Sequence, residues 1–549
     1  MTIINNKIIT GLFVLATMSG LAQPYEQWVG IYNGSGTDLG RAMVIDNSGN
    51  SYVAGTSDGI GTGRDCAVVK YDSLGNEVWV ARYNGTDSLD DWGYAVVVDN
   101  TGNVYLTGQS NSLANDADYI TIKFDAQGNQ QWVKSYNGTA SGSDVAVDIA
   151  LDQAGNVFIT GKSEGTNSME DYVTIKYDNN GNELWVKRYN GPGNKTDDAR
   201  SIFADRYGNI YISGGSMGDT TDYDFATIKY DNQGNEKWVT RYNGTGNAYD
   251  LVFYQGSVVV DSLLNVYITG YSTAADSLYE YVVLKYDSLG NMIWNVHYAG
   301  DRMGKDDFAD AITLDDSLNV YISGAMYDSI SDYDFMTIKY DKNGNLKWTA
   351  SYDGTDSGWD EAYSVLVDDS GNVYVGGRSN KANFTGADYV IVKYDSAGNE
   401  LWNVRYSRGG FSWPFKLRMD NDANLFIGGW SSMASPNGAD FTVVKYGWTP
   451  VGVQVQGSYN SSTSFSYPNP FSNETTIKYQ LVHESKVSLT IHNLLGERVR
   501  TLIEQKQKKG NHCIVWNGKD DYGNNVARGA YLYIIKTGEK IYTRKIILE

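Results

Sequence analysis

The 549-residue sequence predicts an all-β chain, and three observations predict it. It holds 60 Gly and 43 Tyr but only 7 Pro, a balance that favours strands joined by tight glycine turns. A marker of the form K-Y-D-x-x-G-N-x-x-W begins at Lys70 and recurs at Lys123, Lys176, Lys229, Lys285, Lys339 and Lys393, at intervals of 53, 53, 53, 56, 54 and 54 residues. A second marker, D-x-x-G-N-V-Y-x-T-G from Asp99 to Gly108, returns from Asp152 and Asp368. Looser copies start at Asp46, Asp205, Asp261, Asp315 and Asp420. A period near 50 residues with four strand-like pieces per unit predicts a β-propeller.

Residues 1–22 read as a secretory signal peptide. Lys7 precedes an apolar run from Ile8 to Val14 and on to Met18, and Gly20-Leu21-Ala22 fits the small-x-small cleavage rule, so the mature chain is expected to start at Gln23. The run falls short of the ~20 residues a membrane span needs, and no Cys lies near the cleavage point to mark a lipoprotein. No later stretch is apolar enough to cross a membrane.

Residues 23–446 carry the repeats. In the second unit, strand a is read as Ala95–Asp99, strand b as Val104–Gly108 and strand c as Tyr119–Asp125, with strand d starting near Trp132. The a–b and c–d connections are D-x-x-G-N turns, in which Asp accepts backbone N–H groups and Gly takes the left-handed position. Eight a-b-c sets are matched by eight d strands, at Trp28, Trp79, Trp132, Trp185, Trp238, Trp294, Trp348 and Trp402. The chain thus opens with a lone d strand and closes with a set that lacks one. Docking Trp28–Asn33 onto the last set completes an eight-bladed propeller with no open edge.

These units resemble the bacterial SBBP-type β-propeller repeat, whose pattern is D-x-A-x-x-V-x-D-x-x-G-N-V-Y-x-T-G. That family is named for seven blades, and the count here departs from the name. The unit is also similar to the tryptophan-docking repeat of quinoprotein dehydrogenases. Gly75 and Trp79 keep that repeat's interval, while the turn from Asp72 to Gly75 is one residue shorter. The resemblance spans residues 28–446 and implies architecture rather than activity.

Residues 447–466 are rich in Gly, Ser, Thr and Gln and read as a linker. Residues 467–549 change composition and carry strands at short intervals, at Thr475–Tyr479, Lys486–His492, Arg498–Ile503, His512–Trp516, Tyr531–Lys536 and Thr543–Leu548. They predict a small immunoglobulin-like β-sandwich. This segment resembles the C-terminal sorting domain of the type IX (Por) secretion system of Bacteroidota. The match rests on Tyr467-Pro468-Asn469-Pro470-Phe471, Leu494-Leu495-Gly496, Trp516-Asn517-Gly518, Gly523, Gly529-Ala530-Tyr531-Leu532-Tyr533 and Arg544-Lys545-Ile546. The resemblance implies export by the type IX translocon and removal of the tail by a sortase. It implies release of the cargo or its attachment to surface lipopolysaccharide.

Charge is divided unevenly. Residues 451–549 carry a net +5 and the first 450 residues −26, and so acidic a body repels phosphate backbones, which excludes nucleic acid as a partner. Two Cys cannot build a disulfide framework or a thiolate zinc site. The single His of the repeats, His297, stands where other units place Arg82, Arg188, Arg241 or Arg405, and is read as a solvent-facing strand-d residue. Without a second His, neither a nucleophilic triad nor a His-based metal site can be assembled there. No catalytic residue, cofactor or metal ligand is expected.

Asp65, Asp118, Asp171, Asp224, Glu280, Asp334, Asp388 and Asp440 all precede strand c, and Asp38, Asp91, Asp144, Asp197, Asp307 and Asp360 all precede strand a. Their regularity favours capping of backbone N–H groups over a binding ring. Exceptions to the repeat are better site candidates, and on the face formed by the d–a and b–c loops these are Trp92, Trp359, Phe384, Trp413 and Trp430. Exposed aromatic rings stack on sugars or anchor proteins, and buried ones pack loops together. The expected function is a secreted or surface-attached scaffold that binds a polysaccharide or protein. The alternatives are a secreted enzyme, either a glycan hydrolase or lyase or a quinoprotein-like oxidoreductase, and a stiff spacer with no ligand.

Overall fold

The computed structural model describes residues 23–448 and 464–548, apart from 114–115, 141, 301–304, 330–331, 356–357, 382–383, 434–437, 468–470, 472–473, 482, 494–495, 497 and 538–539. The signal-peptide segment, most of the linker and Pro468-Asn469-Pro470 lie outside the described residues. The chain divides into two compact units between Gly447 and Trp448. No α-helix occurs among the described residues, and no helix is long and apolar enough to cross a membrane.

In the first unit the described strands form eight antiparallel sheets, most ordered a-b-c-d. The second runs Asp91–Val98, Val104–Asn111, Ala117–Phe124 and Gln130–Tyr136. Strand a thus begins at Asp91 rather than Ala95. A register shift between Gly93 and Ala95 inserts a bulge, which moves the alternation by one residue and hides the first half of the strand from a period-two reading.

The turns behave as their residues dictate. Asp72 accepts the N–H groups of Leu74 and Asn76 at 2.9 and 2.8 Å, and Gly75 sits at φ +86°. A Cβ on Gly75 would meet the Trp28 ring at 2.6 Å, so the position needs glycine for its backbone and for its neighbour. Asp420-Asn421-Asp422 is likewise a turn, closed by Asn424 N–H to Asp420 Oδ1 at 2.8 Å.

Most sheets are fastened to the next by the marker residues. The Trp79 indole N–H donates to Ala126 O at 3.0 Å in the following c–d turn, and Trp132, Trp185, Trp238, Trp294 and Trp348 repeat the bond one unit on. The Lys of the marker lies over the aromatic ring of strand b, as Lys123 does 5.2 Å from the Tyr105 centroid, and its ammonium caps a carbonyl of the same neighbouring turn. Apolar residues of adjacent sheets interdigitate between them, Tyr52 and Val68 against Val104 and Ile120 for example.

The first strand, Tyr25–Tyr32, pairs antiparallel with Ala439–Gly447, the strand c of the last set. Trp28 faces Lys445 as Trp79 faces Lys70, and its indole donates to Ser73 O of the first sheet at 3.1 Å. Met43, Val53 and Val69 of that sheet pack against Phe426, Phe441 and Val443 of the last.

The fifth sheet departs from the pattern. Its strand a is split into Asp250–Leu251 and Val258–Val260, with residues 252–257 leaving the sheet. This is where the 56-residue interval places its extra length.

The second unit consists of one sheet of Ser464–Tyr467, Thr475–Leu481 and Gly510–Trp516, and another of Arg498–Gln507, Ser485–His492, Gly529–Thr537 and Lys540–Leu548. Trp516 is fully buried between Phe471 and Tyr531, with ring centroids 5.4 and 5.2 Å away. Tyr531 also donates its hydroxyl to Ala527 O at 2.6 Å. Gly496 and Gly529 adopt φ +80° and +147°, and Lys545 lies opposite Leu532 in the register. The described motif residues are thus largely fold-determining ones.

Candidate functional site

The d–a and b–c loops meet on one face, where Thr37 N–H donates to Asp58 at 2.8 Å and Arg64 N–H to Asp90 at 2.9 Å. Phe384 lies in the b–c loop between Asn380 and Ala387, the other four aromatic candidates stand half-buried in or beside the adjoining strands, and two groups form.

Trp92 faces two guanidinium groups, with Arg64 4.8 Å and Arg41 5.3 Å from its ring centroid. The larger group is a ladder contributed by the sixth, seventh and eighth sheets. Tyr333 stacks on Trp359 at 4.6 Å and 25°, and the Arg378 guanidinium lies 5.8 Å from Trp359 and 3.6 Å from Trp413. Trp413 stacks in turn on Trp430 at 6.2 Å and 28°, and on Tyr363 at 6.0 Å and 24°. Phe384 is 57% exposed at φ +55° and makes no ring contact among the described residues, so it stands apart.

Local sequence explains the ladder. In the last strand a, Gly409–Met419, Pro414 stands where other units have Gly40, Gly93, Ala146, Ala199 or Ala362, flanked by Trp413 and Phe415, and a bulge lies between Pro414 and Lys416. Arg378 is held by Glu361 Oε2 at 2.9 Å, and the same oxygen accepts the Tyr363 hydroxyl at 2.6 Å. Beneath them Asp310 is 2% exposed, and burial followed by repulsion from Glu361 pushes its carboxyl well above the usual range. Asp310 Oδ2 and the indole N–H groups of Trp359 and Trp413 have no protein partner. The indole N–H groups and the Arg378 guanidinium are enclosed within the ladder, and the half-buried Trp430 ring at its end is the flat apolar face that can stack on a sugar ring.

Along the axis the strands a of several units converge on the segment that left the fifth sheet. The Gln255 amide donates to Tyr94 O at 3.1 Å and to Val147 O, Gly256 N–H donates to Ser201 Oγ at 3.1 Å, and Lys416 Nζ donates to Gln255 O at 3.1 Å. One segment therefore ties its own sheet to the second, third, fourth and eighth. The intervals showed extra residues in this unit but not that they turn inward.

The repeated carboxylates are structural. Asp91, Asp144, Asp197, Asp250 and Asp360 accept N–H groups of Gly85, Gly138, Gly191, Gly244 and Gly354 at the preceding strand end. Asp65, Asp171 and Asp224 form ion pairs with Arg82, Arg188 and Arg241 at 2.7–2.8 Å. His297 is a correction to the sequence reading. It is half-buried rather than solvent-facing, bonded to Glu280 at 2.9 Å and to the Tyr242 hydroxyl at 2.6 Å, and so replaces the Arg–Asp pair of other units. Cys66 is fully buried, and desolvation pushes its thiol up, which keeps it unreactive.

On the opposite face, two polar grooves of about 260 Å³ lie between the a–b turns of adjacent sheets. Their carboxylates Asp46, Asp99, Asp315 and Asp368 are already engaged by turn amides.

A β-propeller repeat of the SBBP type matches residues 78–114, 131–167 and 354–385, and the FlgD Ig-like domain matches residues 471–539. The first unit therefore carries β-propeller repeats and the second a FlgD Ig-like domain. The chain is 22% identical to an uncharacterized WD repeat-containing protein of Acanthamoeba polyphaga mimivirus, over 65% of this chain and 34% of that protein. The match thus spans about a third of that relative's length. Among solved structures, PorZ, a surface component of the type IX secretion system of Porphyromonas gingivalis, is similar at 13% identity over 94% of this chain and 75% of its own, with a TM-score of 0.35. A protein of unknown function from Dyadobacter fermentans is similar at 8% identity over 77% and 99%, with a TM-score of 0.36. Scores of this size leave the superpositions loose.

Proposed function

We propose that residues 23–446 form an eight-bladed propeller closed by its N-terminal strand, secreted or attached to the cell surface, which binds a polysaccharide through the ladder on its loop face. The pairing of Tyr25–Tyr32 with Ala439–Gly447 and the bond from Trp28 to Ser73 support closure. The observation that carries the binding role is the unbroken stack Tyr333–Trp359–Arg378–Trp413–Trp430, because the repeat does not require it and its terminal ring, Trp430, is only half-buried. Trp430 closes the stack at one end and can be removed with least damage to packing. On a glycan array, Trp430→Ala is expected to weaken binding of the ligands recognised by the full chain at least about 30-fold, the effect of losing an aromatic hot spot. Trp92→Ala is expected to leave the same ligands bound. Equal binding by both variants and the parent would refute the site.

A glycan-cleaving activity is the second reading, and Asp310 is the observation that favours it. A carboxyl kept protonated by burial beside a second carboxylate is the arrangement a general acid requires. Fragments released in the same incubations, and lost in Asp310→Asn, would replace binding by cleavage.

The C-terminal unit is proposed as a type IX sorting domain, on the motif run from Pro468, Asn469 and Pro470 through Gly496, Trp516, Gly529 and Tyr531 to Lys545. Translocon, sortase and surface lipopolysaccharide are its proposed partners. In a type IX-competent host, a chain ending at residue 463 is expected to stay in the periplasm while the full chain reaches the surface or medium. Equal export of both would remove this assignment.

A further inference from the structure

Position by position, the inward residues of the strands a are small or apolar. Ala42, Ala95, Ser201, Ala311 and Ser364 share one level, and the eighth sheet puts Lys416 there, in register with Gly428 as Ala42 is with Ala54. Two residues on, where the other sheets carry Val44, Phe203 or Leu366, it has Arg418. Two cations thus stand on the axis of a body whose charge is otherwise strongly negative.

Neither is neutralised. Among the described residues no carboxylate lies within ion-pair reach of Lys416 or Arg418. Asp148, at the same level on the third sheet, is the acid that acts on both, but its two oxygens accept the N–H groups of Ile149 and Ile202 at 3.0 and 2.9 Å. Lys416 gives one proton to Gln255 O, and Arg418 bonds only the carbonyl of its own neighbour Leu417 at 3.0 Å. Both residues are half-buried by surface area although protein surrounds their charged ends, as for side chains on the wall of an internal space rather than in a packed core. Burial alone would make such a pair strongly unfavourable.

We propose that Lys416 and Arg418 bind a small monovalent inorganic anion, of the size of chloride, on the turn-face side of the Gln255 segment. Two cations against the single negative charge of Asp148 leave one charge to be matched, and an ammonium and a guanidinium two residues apart on one strand have donors left over for the ion that supplies it. The site has its own pH signature. Lys416 is drawn down to about 8 by burial and by repulsion from Arg418, and Asp148 is raised to about 6 by burial. Binding is expected to strengthen as pH falls through both values, since each protonation adds positive charge.

The test uses the purified full chain at constant ionic strength, with sodium chloride replacing sodium gluconate. The thermal midpoint of the parent is expected to rise by about 2 °C or more, saturably, as chloride approaches 0.3 M on this scale of binding linkage. Arg418→Leu, which installs the residue of the seventh repeat, and Lys416→Ser, which installs that of Ser364, are expected to abolish the rise while leaving the fold intact. Crystals grown in bromide are expected to show an anomalous peak between the two side chains, a readout that does not depend on the variants folding. A parent response no larger than that of Arg418→Leu and Lys416→Ser, or crystals without the peak, would overturn the site.

Discussion

A chain lacking residues 23–34 is expected to melt at least 10 °C below the parent and to aggregate on heating. The strand Tyr25–Tyr32 supplies the outer d position of the last sheet, and Trp28 occupies the docking place that Trp79 and its counterparts fill elsewhere. Its ring packs against Tyr71 of the first sheet at 6.2 Å and Phe426 of the last at 5.9 Å, so it joins the two ends of the repeat array. Removing a fully buried Trp costs about 3–5 kcal/mol, and the half-buried Trp28 is expected to sit near the lower end of that range. Deletion also exposes Phe441 and Tyr446 and opens a strand edge able to pair with a second chain. An entropy of unfolding near 2.1 cal/mol/K per residue makes roughly 10 kcal/mol equivalent to about 10 °C for a unit of this size. Trp28→Ala, which keeps the strand hydrogen bonds, is expected to show about a third of the effect. A loss below about 2 °C for the deletion, read by scanning calorimetry, would mean that the ends of the array are not joined through this strand.

The fold was legible because the same residues do the same work in every unit. Asp72, Gly75, Asn76 and Trp79 each answer to a local requirement, namely an N–H to cap, a left-handed φ, a turn to close and a neighbouring carbonyl to reach. Repetition makes such requirements visible without any partner being known. The aromatic candidates were legible for the opposite reason, as departures from the repeat. What the sequence hid was three-dimensional. Arg378 lies at the end of a strand b and looks like a surface residue, and only the stacking of three sheets brings it between Trp359 and Trp413. Phe384 shows the converse, an equally irregular aromatic with no ring partner among the described residues. Lys416 and Asp148 sit where other units carry Ala or Ser, and Arg418 where they carry Val, Phe or Leu, so no repeated pattern announces the group.

The protein is also expected to be more stable at pH 5 than at pH 7, against the usual preference for neutrality. Asp148, Asp197, Asp250 and Asp360 are each raised to about 6, in every case chiefly by burial, with backbone or hydroxyl hydrogen bonds pulling only partly the other way. A carboxyl whose folded pKa exceeds its unfolded value near 3.9 binds its proton more tightly in the native chain. Its contribution is therefore full below the unfolded pKa and is lost as pH rises through about 6. Between pH 7 and pH 5 each such group recovers about 1.4 kcal/mol, and four give about 5 kcal/mol. That corresponds to a midpoint higher by about 5 °C. Asp310, pushed up by burial and by Glu361, adds to the same trend. The turn carboxylates oppose it only in stronger acid. Asp99 and Asp315 are held low chiefly by Asn103 and Asn319 against the effect of burial, so their contribution is present above the unfolded pKa and disappears as pH falls below it. The two sets together place the maximum between about pH 4 and pH 5, where the turn acids are still ionised and the buried acids are protonated. A midpoint that falls steadily from pH 7 to pH 5 in low-salt calorimetry would contradict the assignment of these buried Asp side chains. Asp197→Asn removes one titrating group but keeps an acceptor for Gly191 N–H, and is expected to flatten the profile by about a fifth to a quarter without moving its maximum.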